Sequence, residues 1–226
     1  MLPVPKSRRI PKRFNLFFHK IECFSKSIII ALLLSSVAFG GTPRFAFVPN
    51  IDDGTVSEFV VNAATGQLLP NGYVTAGDHP RSFVNVGNFA YVANMDSGDI
   101  SAYSLSQTTG KLQPLTNPSF LAPGQPYALI AHPNKQFLYA VDGLGGRVYA
   151  YRIATDGSLQ QISTISAGTS PRFLAITGSG NFLYVANFLS NNVTAYQVNS
   201  VTGLLTVVAM TGPIFCTKWI VSVTPC

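Results

Sequence analysis

An internal repeat of about 45 residues is the feature that most limits how this chain can fold. An aromatic segment that ends in a polar residue occurs four times, at Phe45–Asn50, Phe89–Asn94, Phe137–Asp142 and Phe182–Asn187. Each copy is followed by a second segment with alternating side chains, a turn and a short apolar segment. The turns are Thr65-Gly66, Thr109-Gly110, Asp156-Gly157 and Thr202-Gly203. A Gly- and Pro-containing turn then opens a further strand, so each repeat holds four short strands.

The pattern predicts an all-β protein built as a β-propeller. Apolar and β-branched residues alternate with period two, and no stretch after residue 40 has helical spacing. Four strands in about 45 residues form one propeller blade, a twisted sheet that buries its faces against the neighbouring blades. The aromatic positions Phe47, Tyr91, Tyr139 and Tyr184 are therefore predicted to lie in the core. We place the repeats at about 44–88, 89–136, 137–181 and 182–213, with an atypical tail at 214–226.

The repeats also resemble a known family. Tyr91-Val92-Ala93-Asn94 and Tyr184-Val185-Ala186-Asn187, with the Thr-Gly turns and Pro80-Arg81 or Pro171-Arg172, are similar to the YVTN-type repeats of lactonase-like seven-bladed propellers. Seven such blades need more than about 300 residues, so about four are present here. The favoured interpretation is part of a seven-bladed ring, and the alternative is a four-bladed ring closed by pairing of the tail from Pro213 with residues 44–69.

Charge separates the first 40 residues from the rest. The net charge of +6 comes entirely from residues 1–40, which hold seven basic residues and one acidic residue, Glu22. The remaining residues have equal numbers of positive and negative charges. A nucleic-acid partner is therefore not expected. The basic region, the apolar run 28–34 and the small residues Gly40-Gly41 predict an export leader over 1–40, with a single membrane anchor as the alternative. The mature protein would be periplasmic, secreted or on the cell surface, with no membrane span.

The sequence predicts neither a metal site nor a cofactor. Asp52-Asp53-Gly54 and Asp96-Ser97-Gly98-Asp99 fall between paired strands, where Asp and Gly favour hairpin turns, and neither has the spacing of a calcium loop. Cys216 and Cys226 would remain after leader cleavage, and either one disulfide or two unpaired thiols fits their positions.

Arg81 and Arg172 are the candidate ligand-binding residues. Each follows the turn proline that opens an inner strand, so both could project toward one mouth of the central channel and bind an anionic sugar acid or a phosphate. The alternative is that arginine at this position belongs to the repeat pattern and pairs with loop carbonyls.

His79 is a weak candidate for a catalytic base, because it lies beside Arg81 and next to Asp78. His132 also precedes a turn proline, and we expect it to be exposed. Family enzymes that open phosphogluconolactone often have Pro-Arg-His at the turn and a Glu after the strand's Asn. This chain has Pro80-Arg81-Ser82 and Pro171-Arg172-Phe173 instead, so the resemblance does not supply the base.

Three functions remain open. The residues favour an exported propeller that binds a sugar acid, another carbohydrate or a protein partner on its face. The resemblance implies a lactone hydrolase. A truncated product of such a gene is the third interpretation.

Overall fold

The computed structural model describes residues 33–34 and 44–212 and folds them into sixteen strands. No helix occurs in these residues, and so none that could cross a membrane. The predicted tail with Cys216 and Cys226, the proposed closure through Pro213 and most of the predicted leader lie outside the described residues. The strands are β1 (Leu33–Leu34), β2 (Phe45–Asn50), β3 (Thr55–Val61), β4 (Leu68–Thr75), β5 (Pro80–Val86), β6 (Phe89–Asn94), β7 (Asp99–Leu105), β8 (Leu112–Leu121), β9 (Pro126–Ala131), β10 (Phe137–Asp142), β11 (Arg147–Ile153), β12 (Leu159–Ser166), β13 (Pro171–Ile176), β14 (Phe182–Asn187), β15 (Asn192–Val198) and β16 (Leu205–Met210).

The strands form four antiparallel sheets of four, each in simple chain order. We call them blade 1 (β1–β4), blade 2 (β5–β8), blade 3 (β9–β12) and blade 4 (β13–β16). The first strands of blades 2, 3 and 4 contact one another in succession, β5 with β9 and β9 with β13, so they are the inner strands. The predicted all-β propeller of four-stranded blades is confirmed.

Blade 1 has the shortest inner strand. Leu33 pairs with Phe47 and Leu34 with Ala46, so these two residues occupy the position that β5 holds in blade 2. The sequence also places them in the apolar run of the predicted leader.

The hydrophobic core lies between the blades. Buried side chains form three clusters, and each cluster combines residues of two consecutive blades. Phe47, Tyr91 and Tyr139 are buried at these junctions, as predicted. Tyr184 is only half-buried, because no described blade follows blade 4. Each buried aromatic or aliphatic side chain contributes about 1.5–3 kcal/mol, so the blades depend on one another for stability.

Candidate functional site

A β-bulge at the start of each complete inner strand directs one side chain toward the channel. In blade 2, Pro80 pairs with Asn94 and Ser82 with Ala93, which leaves Arg81 unpaired. Tyr127 in blade 3 and Arg172 in blade 4 are unpaired at the same place. Because a bulge bends its strand and re-aims the extra side chain, the three residues point to one end of the channel. We call that end the channel mouth.

Arg81, Tyr127 and Arg172 form one cluster at the mouth. The guanidinium carbon of Arg81 lies 3.9 Å from the centroid of the Tyr127 ring, and that of Arg172 lies 5.1 Å from the same centroid. Arg81 Nη2 also donates a hydrogen bond to the Tyr127 hydroxyl. The structure therefore brings together the two arginines that the sequence singled out, with Tyr127 between them.

Aromatic rings hold the two guanidinium groups in place. Arg172 also stacks on Phe188, 4.1 Å from the ring centroid, and its Nε donates to Ser170 Oγ at 3.4 Å. Within residues 33–34 and 44–212, neither Arg81 nor Arg172 forms a salt bridge with a carboxylate. Two cations near one ring repel each other, and a bound anion would offset that repulsion. The cluster is suited to binding an anion.

A histidine and a carboxylate pair lies beside Arg81. His79 Nδ1 is 2.9 Å from Asp96 Oδ2, and both side chains are more than two-fifths exposed. Met95 connects this pair to the cluster, because its amide donates to the His79 carbonyl at 3.0 Å while its sulfur lies 3.8 Å from Arg81 Nη1. A carboxylate on Nδ1 fixes the ring's orientation and leaves Nε2 as the acceptor.

The turn that carries His79 has an unusual backbone. His79 has a φ of +52°, and Ser170, at the same place in blade 4, has a φ of +53°. Residues other than glycine rarely adopt this conformation, and they keep it only where surrounding contacts hold the backbone in place. Here the amides of Met95 and Phe188 donate to the carbonyls of His79 and Ser170, at 3.0 and 2.8 Å. One backbone hydrogen bond thus ties each of these two turns to the residue that follows the neighbouring strand.

In blades 3 and 4, the polar residue that ends the aromatic strand supports the turn at the mouth. Asn187 is buried, accepts the Gly168 amide at 3.0 Å and donates to Thr194 at 2.9 Å. Asp142 is buried at the same place in blade 3 and accepts three amides, including that of Gln125 at 3.0 Å. In these two blades the buried polar residue thus positions the turn at the mouth and does not line the mouth.

His132 differs from its prediction. It is 3% exposed, so the expectation of an exposed turn residue is wrong. Its Nδ1 accepts the Asn134 amide at 3.1 Å, and its Nε2 lies 3.1 Å from the Gly180 carbonyl oxygen of blade 4. Nδ1 is therefore occupied within the blade 3 turn and Nε2 by the contact with blade 4, so both ring nitrogens of the buried imidazole have structural partners.

The two aspartate-rich turns have different surroundings. Asp52 and Asp53 lie in an exposed turn that ends at Gly54, where φ is +61°. Asp96 belongs to the His79 pair, whereas Asp99 accepts hydrogen bonds from Asn94 and Ser97 at 2.8 and 2.7 Å. The part of the chain that the structure describes holds no group of three or more His, Cys, Asp or Glu residues arranged for a metal.

Sequence reasoning missed Tyr127 and Asp96. Tyr127 follows a turn proline as Arg81 and Arg172 do, so its position could have been found from the repeat alignment. Asp96 was assigned to hairpin-turn geometry, and no sequence signal marks its contact with His79 across the turn.

Comparison with known proteins agrees with this architecture. The family model described as lactonase, 7-bladed beta-propeller, matches residues 34–126 and 117–215. The chain belongs to this lactonase family. Its relatives include the 6-phosphogluconolactonases of Cronobacter sakazakii (33% identical over 79 residues, 34% of this chain and 24% of that protein) and Blochmanniella pennsylvanica (34% over 82 residues, 36% of this chain and 24% of that protein).

Two solved structures share the fold. A 6-phosphogluconolactonase-like protein of Bacteroides fragilis has a TM-score of 0.69 at 22% identity, covering 76% of this chain and 52% of that one. The periplasmic gluconolactonase of Pseudomonas aeruginosa has a TM-score of 0.65 at 23% identity, covering 75% and 54%. The chain thus spans about half of these structures and about a quarter of the curated relatives it matches.

Proposed function

We propose that the protein opens a sugar lactone carrying an anionic group, bound at the channel mouth. The observation that carries the proposal is the convergence of Arg81 and Arg172 on Tyr127, with the His79–Asp96 pair connected through Met95. The names of the relatives support a lactone as the substrate class. Because this chain spans about half of the matched structures, the activity is proposed for the complete propeller ring.

The chemistry assigns a role to each group. His79 Nε2 takes a proton from a water molecule, and the water oxygen attacks the lactone carbonyl. Arg81 or Arg172 stabilises the oxyanion that forms, and the other guanidinium binds the substrate's own anionic group. The bond between the carbonyl carbon and the ring oxygen then breaks. The protonated imidazole returns its proton to that oxygen, and the product is an open-chain hydroxy acid.

We also propose that the protein acts outside the cytoplasm. The support is the basic and apolar pattern of residues 1–40, together with the fold shared with a periplasmic gluconolactonase of Pseudomonas aeruginosa. Fractionation of the source cells, with N-terminal sequencing of the product, tests this. Recovery of the uncleaved chain in the cytoplasm would exclude it.

Lactone hydrolysis is testable by proton release with gluconolactone and 6-phosphogluconolactone. We expect turnover above the buffer rate, with the phosphorylated substrate preferred. His79→Ala should lower kcat about 100-fold or more, within the range for loss of a general base. Arg81→Ala with Arg172→Ala should raise KM for the phosphorylated substrate about 10-fold or more, since two charge-assisted contacts are lost.

Arg152→Ala is the matched control. Arg152 also stacks on an aromatic ring, 5.2 Å from the Phe137 centroid, but it lies at the opposite end of its blade from Tyr127. We expect its kinetics to equal those of the wild type. Turnover that is unchanged in both His79→Ala and the double arginine variant would exclude this site.

Binding without turnover is the second candidate. It is favoured by the absence, in this sequence, of the histidine and glutamate that family enzymes often carry at the mouth. Calorimetry with 6-phosphogluconate, the product of lactone opening, distinguishes the two: a folded protein that binds it through Arg81 and Arg172, yet releases no protons from either lactone, is a binding protein.

A further inference from the structure

Most tyrosine hydroxyls of the propeller hold one blade to the next. Six of them donate a hydrogen bond to a backbone carbonyl of the neighbouring blade, and these are Tyr91, Tyr103, Tyr139, Tyr149, Tyr151 and Tyr196. The acceptors include the Gly157 and Gly203 carbonyls, at 2.8 and 3.1 Å. In each case the hydroxyl proton is used within the fold, so these hydroxyl groups are structural.

Tyr127 uses its hydroxyl in the opposite sense. The side chain is half-buried at the channel mouth, and its hydroxyl oxygen accepts a hydrogen bond from Arg81 Nη2. A phenol that accepts a hydrogen bond keeps its own proton as a donor. Among residues 33–34 and 44–212, no acceptor for this proton lies within hydrogen-bond distance. Tyr127 therefore presents a donor that the fold does not use.

The unused donor lies beside two cations. The guanidinium carbons of Arg81 and Arg172 are 3.9 and 5.1 Å from the Tyr127 ring centroid. Guanidinium groups carry only donors, and the hydrogen bond from Arg81 polarises the phenol so that its proton becomes a stronger donor. A negatively charged group with several lone pairs can accept from all three side chains at once.

Blade 3 has a glycine where blades 2 and 4 have a large side chain. Met95 and Phe188 directly follow the polar residue that ends the aromatic strand, and each packs on the arginine of its own blade. Gly143 holds this position in blade 3, and a Cβ added to it would lie 3.3 Å from Tyr127 Cδ2. This is shorter than the roughly 3.5–4.0 Å at which carbon atoms pack best. The glycine therefore leaves the space that the Tyr127 ring needs.

We propose that Tyr127 is a third ligand-binding residue of the channel mouth, whose hydroxyl donates a hydrogen bond to the anionic group of the substrate. The ring separates the two guanidinium groups, and Arg81 orients the hydroxyl by donating to its oxygen. The inference rests on the proposed lactone site and assigns it a residue that has no role in the chemistry of His79, Arg81 and Arg172.

Tyr127→Phe tests the contact, because it removes the hydroxyl and keeps the ring between the two guanidinium groups. Calorimetry of the full chain with 6-phosphogluconate measures the affinity without requiring turnover. We expect a dissociation constant about 10-fold or more above that of the wild type, within the range for a hydrogen bond to a charged group. The KM for 6-phosphogluconolactone should rise similarly, whereas the kinetics with gluconolactone, which lacks the phosphate, should stay unchanged.

Tyr151→Phe is the matched control. Tyr151 lies in the same blade, is 1% exposed and donates to the Leu121 carbonyl at 3.0 Å, so its hydroxyl is structural. We expect this variant to unfold at a lower temperature than the wild type and to bind 6-phosphogluconate with unchanged affinity. Tyr127→Phe should show the reverse, with weaker binding and an unchanged unfolding temperature.

Gly143→Ala tests the position of the ring without removing a polar atom. Gly143 is not among the glycines with a positive φ, so alanine is compatible with its backbone, but the added methyl group displaces the Tyr127 ring. Binding of 6-phosphogluconate should weaken, by a smaller factor than in Tyr127→Phe. Gly178→Ala is the control, because Gly178 lies in an exposed turn at the opposite end of blade 4 and has no atom within 4 Å of an added Cβ.

The outcomes separate this inference from the lactone proposal. If the wild type binds 6-phosphogluconate and Tyr127→Phe binds it equally well, the role of Tyr127 is overturned and the lactone site stands. An equal loss of affinity in Tyr127→Phe and Tyr151→Phe would also overturn it, since the hydroxyl would then act through the fold. A wild-type protein that neither binds 6-phosphogluconate nor opens either lactone would overturn both proposals.

Discussion

The junction between blades 1 and 2 differs chemically from the two that follow. Where Tyr91 and Tyr139 donate hydrogen bonds across their junctions, blade 1 has Phe47, whose ring stacks on Phe83 with centroids 4.7 Å apart. Blade 1 also carries Glu58, 2% exposed, at a position occupied by alanine in the other three repeats.

Glu58 binds blade 2 through both oxygens. Its Oε1 accepts the Leu112 amide at 2.7 Å, and its Oε2 lies 3.0 Å from Lys111 Nζ. A buried carboxylate needs its partners because desolvation opposes its burial. The comparison shows that one repeat geometry can be satisfied by neutral hydrogen bonds or by a buried ion pair, and the two solutions respond differently to pH and to mutation.

Alkali is the strongest test of this difference. Burial raises the pKa of Tyr91, Tyr139, Tyr149 and Tyr151, and raises the pKa of Tyr103 and Tyr196 to about 12. Unfolded tyrosines ionise near pH 10, so above about pH 10 the unfolded chain loses protons that the folded chain retains. Stability is therefore fully present below about pH 10 and is lost as the pH rises through about 12.

Five of these six tyrosines donate a hydrogen bond to a carbonyl at the junction of blades 2 and 3 or of blades 3 and 4. Only Tyr103 donates across the junction of blades 1 and 2, to the Thr75 carbonyl. Urea unfolding followed by circular dichroism, with tyrosinate absorbance, measures the effect. We expect tyrosinate to appear together with the loss of β-structure. Full ionisation of the tyrosines in a folded protein would contradict the assigned contacts.

Lys111→Met should have the next largest effect, a loss of about 3 kcal/mol in the free energy of unfolding, because it leaves the Glu58 carboxylate buried without its cation. Urea unfolding measures it. Adding Glu58→Gln should restore more than half of the loss, since the pair is then neutral. Lys135→Met, on an exposed turn, is the control and should change stability by less than about 0.5 kcal/mol.

Tyr91→Phe and Tyr139→Phe should each lower stability by about 1 kcal/mol, because each removes a buried hydrogen bond to a glycine carbonyl. Tyr73→Phe provides the comparison, since Tyr73 is 72% exposed and should show no change. Thermal unfolding of the three variants side by side is sufficient. Equal behaviour of all three would mean that the later junctions do not rely on the hydroxyl groups.

Phe47→Tyr should have the smallest effect, a gain of about 0.5 kcal/mol. It gives the first junction the hydroxyl that the others have, and Gly110 occupies the place of Gly157 and Gly203. A loss of stability in urea would show that stacking on Phe83 holds the ring too far from the Gly110 carbonyl.

The repeat made most of the fold predictable from sequence. The strands, the glycine turns and the buried Phe47, Tyr91 and Tyr139 all follow from local pattern, because each blade repeats the same short-range rules. The convergence of Arg81 and Arg172 on one mouth could also be anticipated, since both follow a turn proline.

The contacts that depart from the repeat could not be predicted. Glu58 occurs once, and its partners Lys111 and Leu112 are more than fifty residues away. His132 resembles an exposed turn residue until the Gly180 turn of blade 4 covers it. The pairing of His79 with Asp96 depends on how two turns meet, which residue spacing does not specify.

The junction tyrosines also delay the packing of one blade on the next during synthesis. Tyr91 and Tyr139 reach carbonyls 66 and 64 residues further along the chain. At about 5–20 residues per second, a ribosome needs about 3–13 s to produce the partner of each tyrosine. The faces of blades 2 and 3 that carry Tyr91 and Tyr139 therefore remain open to water for about that long.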